Sequence, residues 1–267
     1  MSKVISVTSL RNGVGRSAVS CLLSNALAEL EYKVLVIDND FKYCDVANYM
    51  MVKPDYTVDD LRPFLRSGVL EKDTILSMAI SAGKGVDVLC GSQMIFSDNT
   101  LAFEDVKKIK ALVEDVYDYI IIDGRSGIEN EDVLNLSSLI NKNIIVTRPN
   151  KHDSEHFERI KNTLDEEKLE KLTTMIEKSV MVYNLLIDGA KYDTHYGSDL
   201  VGSKNVYKLN YDEKILDYLN GFNVTANSSN KAEMEKLAEA IGEKTKEKKQ
   251  GLLGINVSKV KSLFGSV

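Results

Sequence analysis

Thr8-Ser9-Leu10-Arg11-Asn12-Gly13-Val14-Gly15-Arg16-Ser17 is the stretch whose reading decides the fold. A short apolar run, Val4-Ile5-Ser6-Val7, leads into it, and a helical pattern over residues 18–30 follows at once. Strand, glycine-containing loop and a helix opened by a hydroxyl residue form the layout of a phosphate cradle. Backbone N–H groups and a helix N-terminus face an anion, and a basic side chain closes over it. Gly13 and Gly15 let the backbone approach phosphate oxygens that a Cβ would obstruct. The Ser17 hydroxyl can ligate Mg²⁺, a hard cation that takes oxygen ligands.

Apolar runs of strand length recur along the chain between helical patterns. Val34-Leu35-Val36-Ile37 ends at Asp38, Val86-Asp87-Val88-Leu89 ends near Gly91, and Tyr119-Ile120-Ile121-Ile122 ends at Asp123. Asn143-Ile144-Ile145-Val146 ends at Thr147, and Ser179-Val180-Met181-Val182 ends at Tyr183-Asn184. Nearly continuous β-branched runs are what strands buried on both faces look like. Alternating with helices, they predict an α/β fold, a mostly parallel sheet with helices on both faces. Ligands in such sheets bind outside the carboxyl ends of the strands, where Asp38, Asp123, Thr147 and Asn184 fall. Residues 191–204, polar and rich in Tyr, Gly and Asp, read as a loop or short irregular insertion.

The length of 267 residues allows one large α/β domain or two small ones. A hydrophobic content of 43% is ordinary for a soluble globular chain. Cys21, Cys44 and Cys90 are odd in number and lack metal-ligand spacing, so they read as reduced, buried thiols. No leading apolar segment and no run of about 20 apolar residues is present, so the expectation is a protein neither secreted nor membrane-spanning. The net charge of −6 is unevenly spread. Six lysines and two glutamates give residues 242–267 a charge of +4, which leaves −10 on the rest. The acidic body speaks against a broad DNA-binding surface, and the basic tail suggests a partner of its own.

Four motifs in the right order resemble the ParA/MinD group of P-loop ATPases, which matches P-loop NTPases of three-layer α/β/α build. The deviant phosphate loop of that group, Lys-Gly-Gly-x-Gly-Lys-Ser/Thr, reads here Arg11-Asn12-Gly13-Val14-Gly15-Arg16-Ser17. The Asp-x-Asp strand end is Asp38-Asn39-Asp40, the further strand-end aspartate is Asp123, and the late strand ending in Asn supplies Asn184. Asp45 and Gly127-Ile128-Glu129 resemble the MinD branch. The resemblance implies that ATP or ADP is held by residues 12–18, Asn12, Gly13, Val14, Gly15, Arg16, Ser17 and Ala18, with Asn184 at the adenine. It implies Mg²⁺ near Ser17, Asp38 and Asp123, and catalytic roles for Asp40, which positions water, and for Arg11 and Arg16. Taken singly, each motif is no more than a turn or a helix cap.

The departures are informative. The group carries Lys where this chain has Arg11 and Arg16, and Gly where it has Leu10 and Asn12. A guanidinium is longer and planar, and it does not substitute freely for the compact ammonium that sits against β- and γ-phosphates. The expectation is ATP binding with slow or absent hydrolysis. Arg11 stands at the signature lysine, which reaches across a homodimer to the partner's nucleotide. Leu10 would cost about 1–2 kcal/mol if the left-handed region were required there.

Residues 1–241 read as the ATPase domain, 242–251 as a charged linker and 252–267 as an amphipathic helix. Leu253, Val257, Val260, Phe264 and Val267 are spaced four, three, four, three, on one helix face flanked by Lys259 and Lys261. A basic amphipathic helix suits an anionic membrane surface, and it equally suits docking on its own domain or on a partner. The resemblance implies a cytoplasmic protein, peripheral on the inner face of the cell membrane, that positions another complex through an unknown protein partner. The alternatives are a TadZ/CpaE-like localisation factor of pilus or secretion assembly without ATPase activity, and a ParA-type DNA partition ATPase, which the acidic body disfavours.

Overall fold

Strand β1 (Lys3–Ser9) lies at the centre of one eight-stranded sheet. The other strands are β2 (Val34–Asp38), β3 (Ile80–Gly83), β4 (Val86–Leu89), β5 (Tyr119–Ser126), β6 (Lys142–Thr147), β7 (Ser179–Leu186) and β8 (Val206–Asn210). Their order is β3-β4-β2-β5-β1-β6-β7-β8. All neighbours are parallel except β3, which pairs antiparallel with β4 at one edge. This is a computed structural model, and it describes residues 1–40, 44–92, 101–192 and 194–242. The linker and amphipathic helix expected from residue 243 to 267 lie outside the described residues.

Side chains alternate across each strand, so a strand buried on both faces feeds two cores. Along β2, Val34 and Val36 enter one core, while Leu35 and Ile37 enter the other. Along β5, Tyr119 and Ile121 face the first, and Ile120 and Ile122 the second. The first core is closed by α1 (Arg16–Glu29), α2 (Val46–Tyr49) and α10 (Ser228–Ile241). The second is closed by α3 (Val58–Ser67), α4 (Lys72–Met78), α5 (Phe103–Val113), α6 (Glu131–Asn135), α7 (Lys151–Thr163), α8 (Glu166–Glu177) and α9 (His195–Val201). This is the three-layer α/β/α arrangement expected from the apolar runs.

Two details depart from the sequence reading. The segment 191–204 holds the ordered helix α9, whose Gly197 N–H donates to the Tyr183 hydroxyl at 3.0 Å. Cys21 and Cys90 are buried, but Cys44 is only half-buried. Among the described residues no helix is long and apolar enough to cross a membrane.

Register sets the level of the acidic residues. Asp38 on β2 pairs with Asp123 on β5, and Val7 on β1 pairs with the same Asp123. The register between β1 and β5 then shifts from Val7 to Ser9. The carboxyl ends of three adjacent strands therefore meet where β1 turns into its loop, a crevice of the kind α/β sheets use for ligands.

Candidate functional site

The loop leaves β1 at Ser9 and enters α1 at Arg16. Gly13 (φ 72°) and Gly15 (φ 82°) both occupy the left-handed region. Leu10 and Asn12 do not, so the strain that a left-handed leucine would bring does not arise. Gly15 is the residue before the first turn of α1, and it offers no side-chain cap. The first-turn N–H groups of α1 are thus left to an outside acceptor, and the helix dipole favours an anion there. Val14 and Ala18 bury their side chains in the first core, so only their backbone can serve a ligand. A cavity of about 300 Å³ is lined by residues 11–17 with Asp40, Asp45 and Tyr49. A larger one, about 470 Å³, lies between α1, the β3–β4 turn and α10. Its charges include the pair Lys231 and Glu29, 3.1 Å apart, and it has no comparable backbone cradle.

Asn184 underpins the loop. Its Nδ2 donates to Val14 O at 2.8 Å, and a Cβ on Gly15 would fall 2.3 Å from that nitrogen. Leu185 next to it has φ 60°, at an irregularity in the pairing of β7 with β8. A bulge of this sort re-aims a neighbouring side chain. The Oδ1 of Asn184 is buried without a hydrogen-bond partner among the described residues.

The guanidinium of Arg16 turns inward beneath the loop and is 8% exposed. Nη2 donates to Asp40 Oδ2 at 2.5 Å and Nη1 to Ser9 Oγ at 3.3 Å, while Nε lies 3.5 Å from Asp123 Oδ1. Ser20 Oγ donates to the same Asp123 oxygen at 2.8 Å. Asp38 accepts from the backbone N–H of Asp40 at 3.3 Å and of Val46 at 3.2 Å. Burial and the Asp123 charge hold the Asp38 carboxyl well above the usual carboxylate range, despite those N–H groups. Burial also raises Asp123, partly offset by the Arg16 charge and by the hydroxyls of Ser17 and Ser20.

Two further arginines border the loop. Arg11 Nε lies 2.6 Å from Asp153 Oδ1, and Thr147 Oγ1 donates to the other oxygen of Asp153 at 2.7 Å. Asn150 caps α7 through the Asp153 N–H, which fixes that carboxylate in place. Arg148 Nη2 donates to Gly13 O at 3.0 Å. Gly127 N–H donates to Ser9 O at 2.8 Å and ties the end of β5 to the loop. Asp153, Arg148 and Ser20 are site residues the motifs did not pick out. The signal available for Arg148 was its place directly after a strand end.

The Mg²⁺ set read from the resemblance, Ser17, Asp38 and Asp123, meets a difficulty in this geometry. The structure brings Ser17 and Asp123 together. Asp38, however, is engaged by two backbone N–H groups, and Arg16 lies against Asp40 and Asp123. Among the described residues no group of three or more His, Cys, Asp or Glu side chains is arranged to hold a metal ion. Of the acids in that set, Asp123 has Arg16 against it, with Nε 3.5 Å from Oδ1.

A family model described as an AAA domain matches residues 2–177. The septum site-determining protein MinD of Synechocystis is 28% identical over 67% of this chain and 65% of its own length. The chain thus spans just under two thirds of that relative. Among solved structures, a ParA family ATPase from Chlorobium tepidum superposes with a TM-score of 0.70 at 17% identity, over 89% of this chain and 97% of that one. MinD from Pyrococcus horikoshii complexed with Mg-ADP gives 0.67 at 18% identity, over 91% and 97%. At these identities the two structures speak to the fold.

Proposed function

We propose, since the chain belongs to the ParA/MinD family of P-loop ATPases, that it binds ATP or ADP at residues 12–18 and forms a homodimer with nucleotide at the interface. The observation that carries this reading is the cradle itself: left-handed Gly13 and Gly15 before an uncapped helix, at the joined ends of β1, β2 and β5. Two guanidinium groups border it, from Arg11 and Arg148, and suit a polyanionic ligand. Asn184, with one amide oxygen unpartnered beside the loop, is the proposed adenine-side contact.

Hydrolysis is slow or absent in this reading. Asp40, the residue proposed to position the attacking water, is bound to Arg16 at 2.5 Å. That pairing supports a second reading, a TadZ/CpaE-like localisation factor that uses nucleotide as a clamp rather than a fuel. In both readings residues 252–267 dock the dimer on an anionic membrane surface, where two weakly binding segments gain through avidity. The protein then positions another complex there.

Nucleotide titration with a fluorescent ATP analogue, with phosphate release assayed in parallel, tests the reading. Saturable binding lost in Asn184→Ala, without appreciable phosphate release, supports it. Turnover at ordinary P-loop ATPase rates, abolished by Asp40→Ala, would overturn the impaired-hydrolysis part. Absence of binding would overturn the whole.

A further inference from the structure

We infer that the Arg16 guanidinium is the resident cation of the carboxylate pocket at the ends of β2 and β5, and that it excludes a divalent ion from that pocket. Nucleotide binding at this loop is then independent of Mg²⁺, a consequence that rests on the ATP-binding reading.

Asp38 and Asp123 are fully buried and Asp40 is nearly so, and a buried carboxylate persists only when a cation or N–H groups compensate it. Backbone N–H groups serve Asp38. Arg16 serves the other two from a single planar group: Nη2 donates to Asp40, Nη1 donates to Ser9, and Nε lies 3.5 Å from Asp123 Oδ1 as an ion pair without a hydrogen bond. These partners sit on the ends of β1, β2 and β5, so the fork bridges all three strands. A lysine carries its three donors on one nitrogen, so it cannot place them on separate atoms of a planar fork as the guanidinium does.

Exclusion follows from size and hydration. Mg²⁺ requires a nearly octahedral oxygen shell and gives up its waters reluctantly. Two of the oxygens that would receive those waters, Asp40 Oδ2 and Asp123 Oδ1, lie against the Arg16 guanidinium, and Asp123 Oδ2 is left buried without a hydrogen-bond partner among the described residues. Phosphate charge remains answered at the rim. The N-terminus of α1 is open, Arg11 is half-exposed, and Arg148 reaches the loop at Gly13 O. The loop therefore separates two duties that a P-loop lysine and its metal share: Arg16 neutralises the acids, and the rim groups receive the phosphates.

The test uses the full chain in two arms. In the first, a fluorescent ADP analogue is titrated with excess Mg²⁺ and again with EDTA. The inference expects dissociation constants within about threefold of each other for the wild type, and a Mg²⁺ dependence of about tenfold or more in Arg16→Lys. A wild-type affinity that falls about tenfold or more in EDTA overturns it. The second arm needs no nucleotide. The melting temperature of the wild type is expected not to respond to Mg²⁺ at matched ionic strength, while that of Arg16→Ala rises, because the ion replaces the missing charge. Should Arg16→Ala not fold, Arg16→Gln, which also removes the charge, serves in this arm. A wild type stabilised by Mg²⁺ alone overturns the inference. No binding in either buffer, with the expected melting pattern, refutes the nucleotide reading and leaves the resident cation standing.

Discussion

Replacing Gly15 by Ala tests how the loop is held from beneath. The residue sits at φ 82°, where an L side chain costs about 1–2 kcal/mol. A Cβ there lands 2.3 Å from Asn184 Nδ2, so the amide must swing away. That breaks the 2.8 Å bond to Val14 O and leaves a buried carbonyl unpaired, at about 1–3 kcal/mol. The sum predicts a loss of about 2–5 kcal/mol for Gly15→Ala. Gly13 is the internal control. It too is left-handed, at φ 72°, but a Cβ on it meets nothing within 4 Å, so Gly13→Ala should cost only the conformational part. Asn184→Ala should cost the hydrogen bond alone. In the double variant Gly15→Ala/Asn184→Ala the clash is gone and the bond is lost only once. The two changes should then fall short of additivity by about 1–3 kcal/mol. Urea denaturation with linear extrapolation reads all four variants. Equal costs for Gly15→Ala and Gly13→Ala, or strict additivity in the cycle, would refute the reasoning.

Three other outcomes are expected. Asp153→Ala removes the partner of Arg11 and the acceptor of Thr147, and should cost about 1–3 kcal/mol; a melting temperature indistinguishable from wild type contradicts this. The Cys90 thiol is pushed up to about 12, by burial and then by the Asp38 charge, so it stays protonated at pH 8. Its thiolate is then about a thousandfold scarcer than that of an ordinary cysteine, and residue-resolved alkylation should be slow in the native protein and fast in urea. Equal rates in the two states would show Cys90 to be accessible. Deleting residues 252–267 should abolish cosedimentation with anionic vesicles, and binding by the full chain should weaken as salt rises. Vesicle binding unchanged by the deletion removes the tail from the membrane role.

Much of the fold was legible because strands buried on both faces advertise themselves as β-branched runs. β1, β2, β4, β5, β6 and β7 each coincide with one. The two edge strands did not stand out. In β3, Ile80 and Ala82 are half-buried while Ser81 and Gly83 are exposed, and β8 mixes its apolar residues with Lys208 and Asn210. Helix α9 was hidden by Gly197 and by polar neighbours, although Tyr183 anchors it from β7.

The site divides along the same physical line. Backbone features were readable: the glycines, the helix start and the strand-end aspartates follow from spacing alone. Side-chain direction was not. Nothing in Gly15-Arg16-Ser17 says whether the arginine points out to a ligand or in toward Asp40 and Asp123. The answer depends on two carboxylates from different strands: Asp123 on β5, and Asp40 just past the end of β2, whose Asp38 is in register with Asp123. Arg11 meets Asp153 for the same reason, through a helix that starts only after β6.

The most direct test of the central claim is size-exclusion chromatography with light scattering of the full chain, without nucleotide, with ADP and with a non-hydrolysable ATP analogue. A monomer mass without nucleotide and with ADP, doubling with the ATP analogue and reverting in Asn184→Ala, is the predicted result. A mass indifferent to every nucleotide, with no nucleotide retained on the protein, would contradict it.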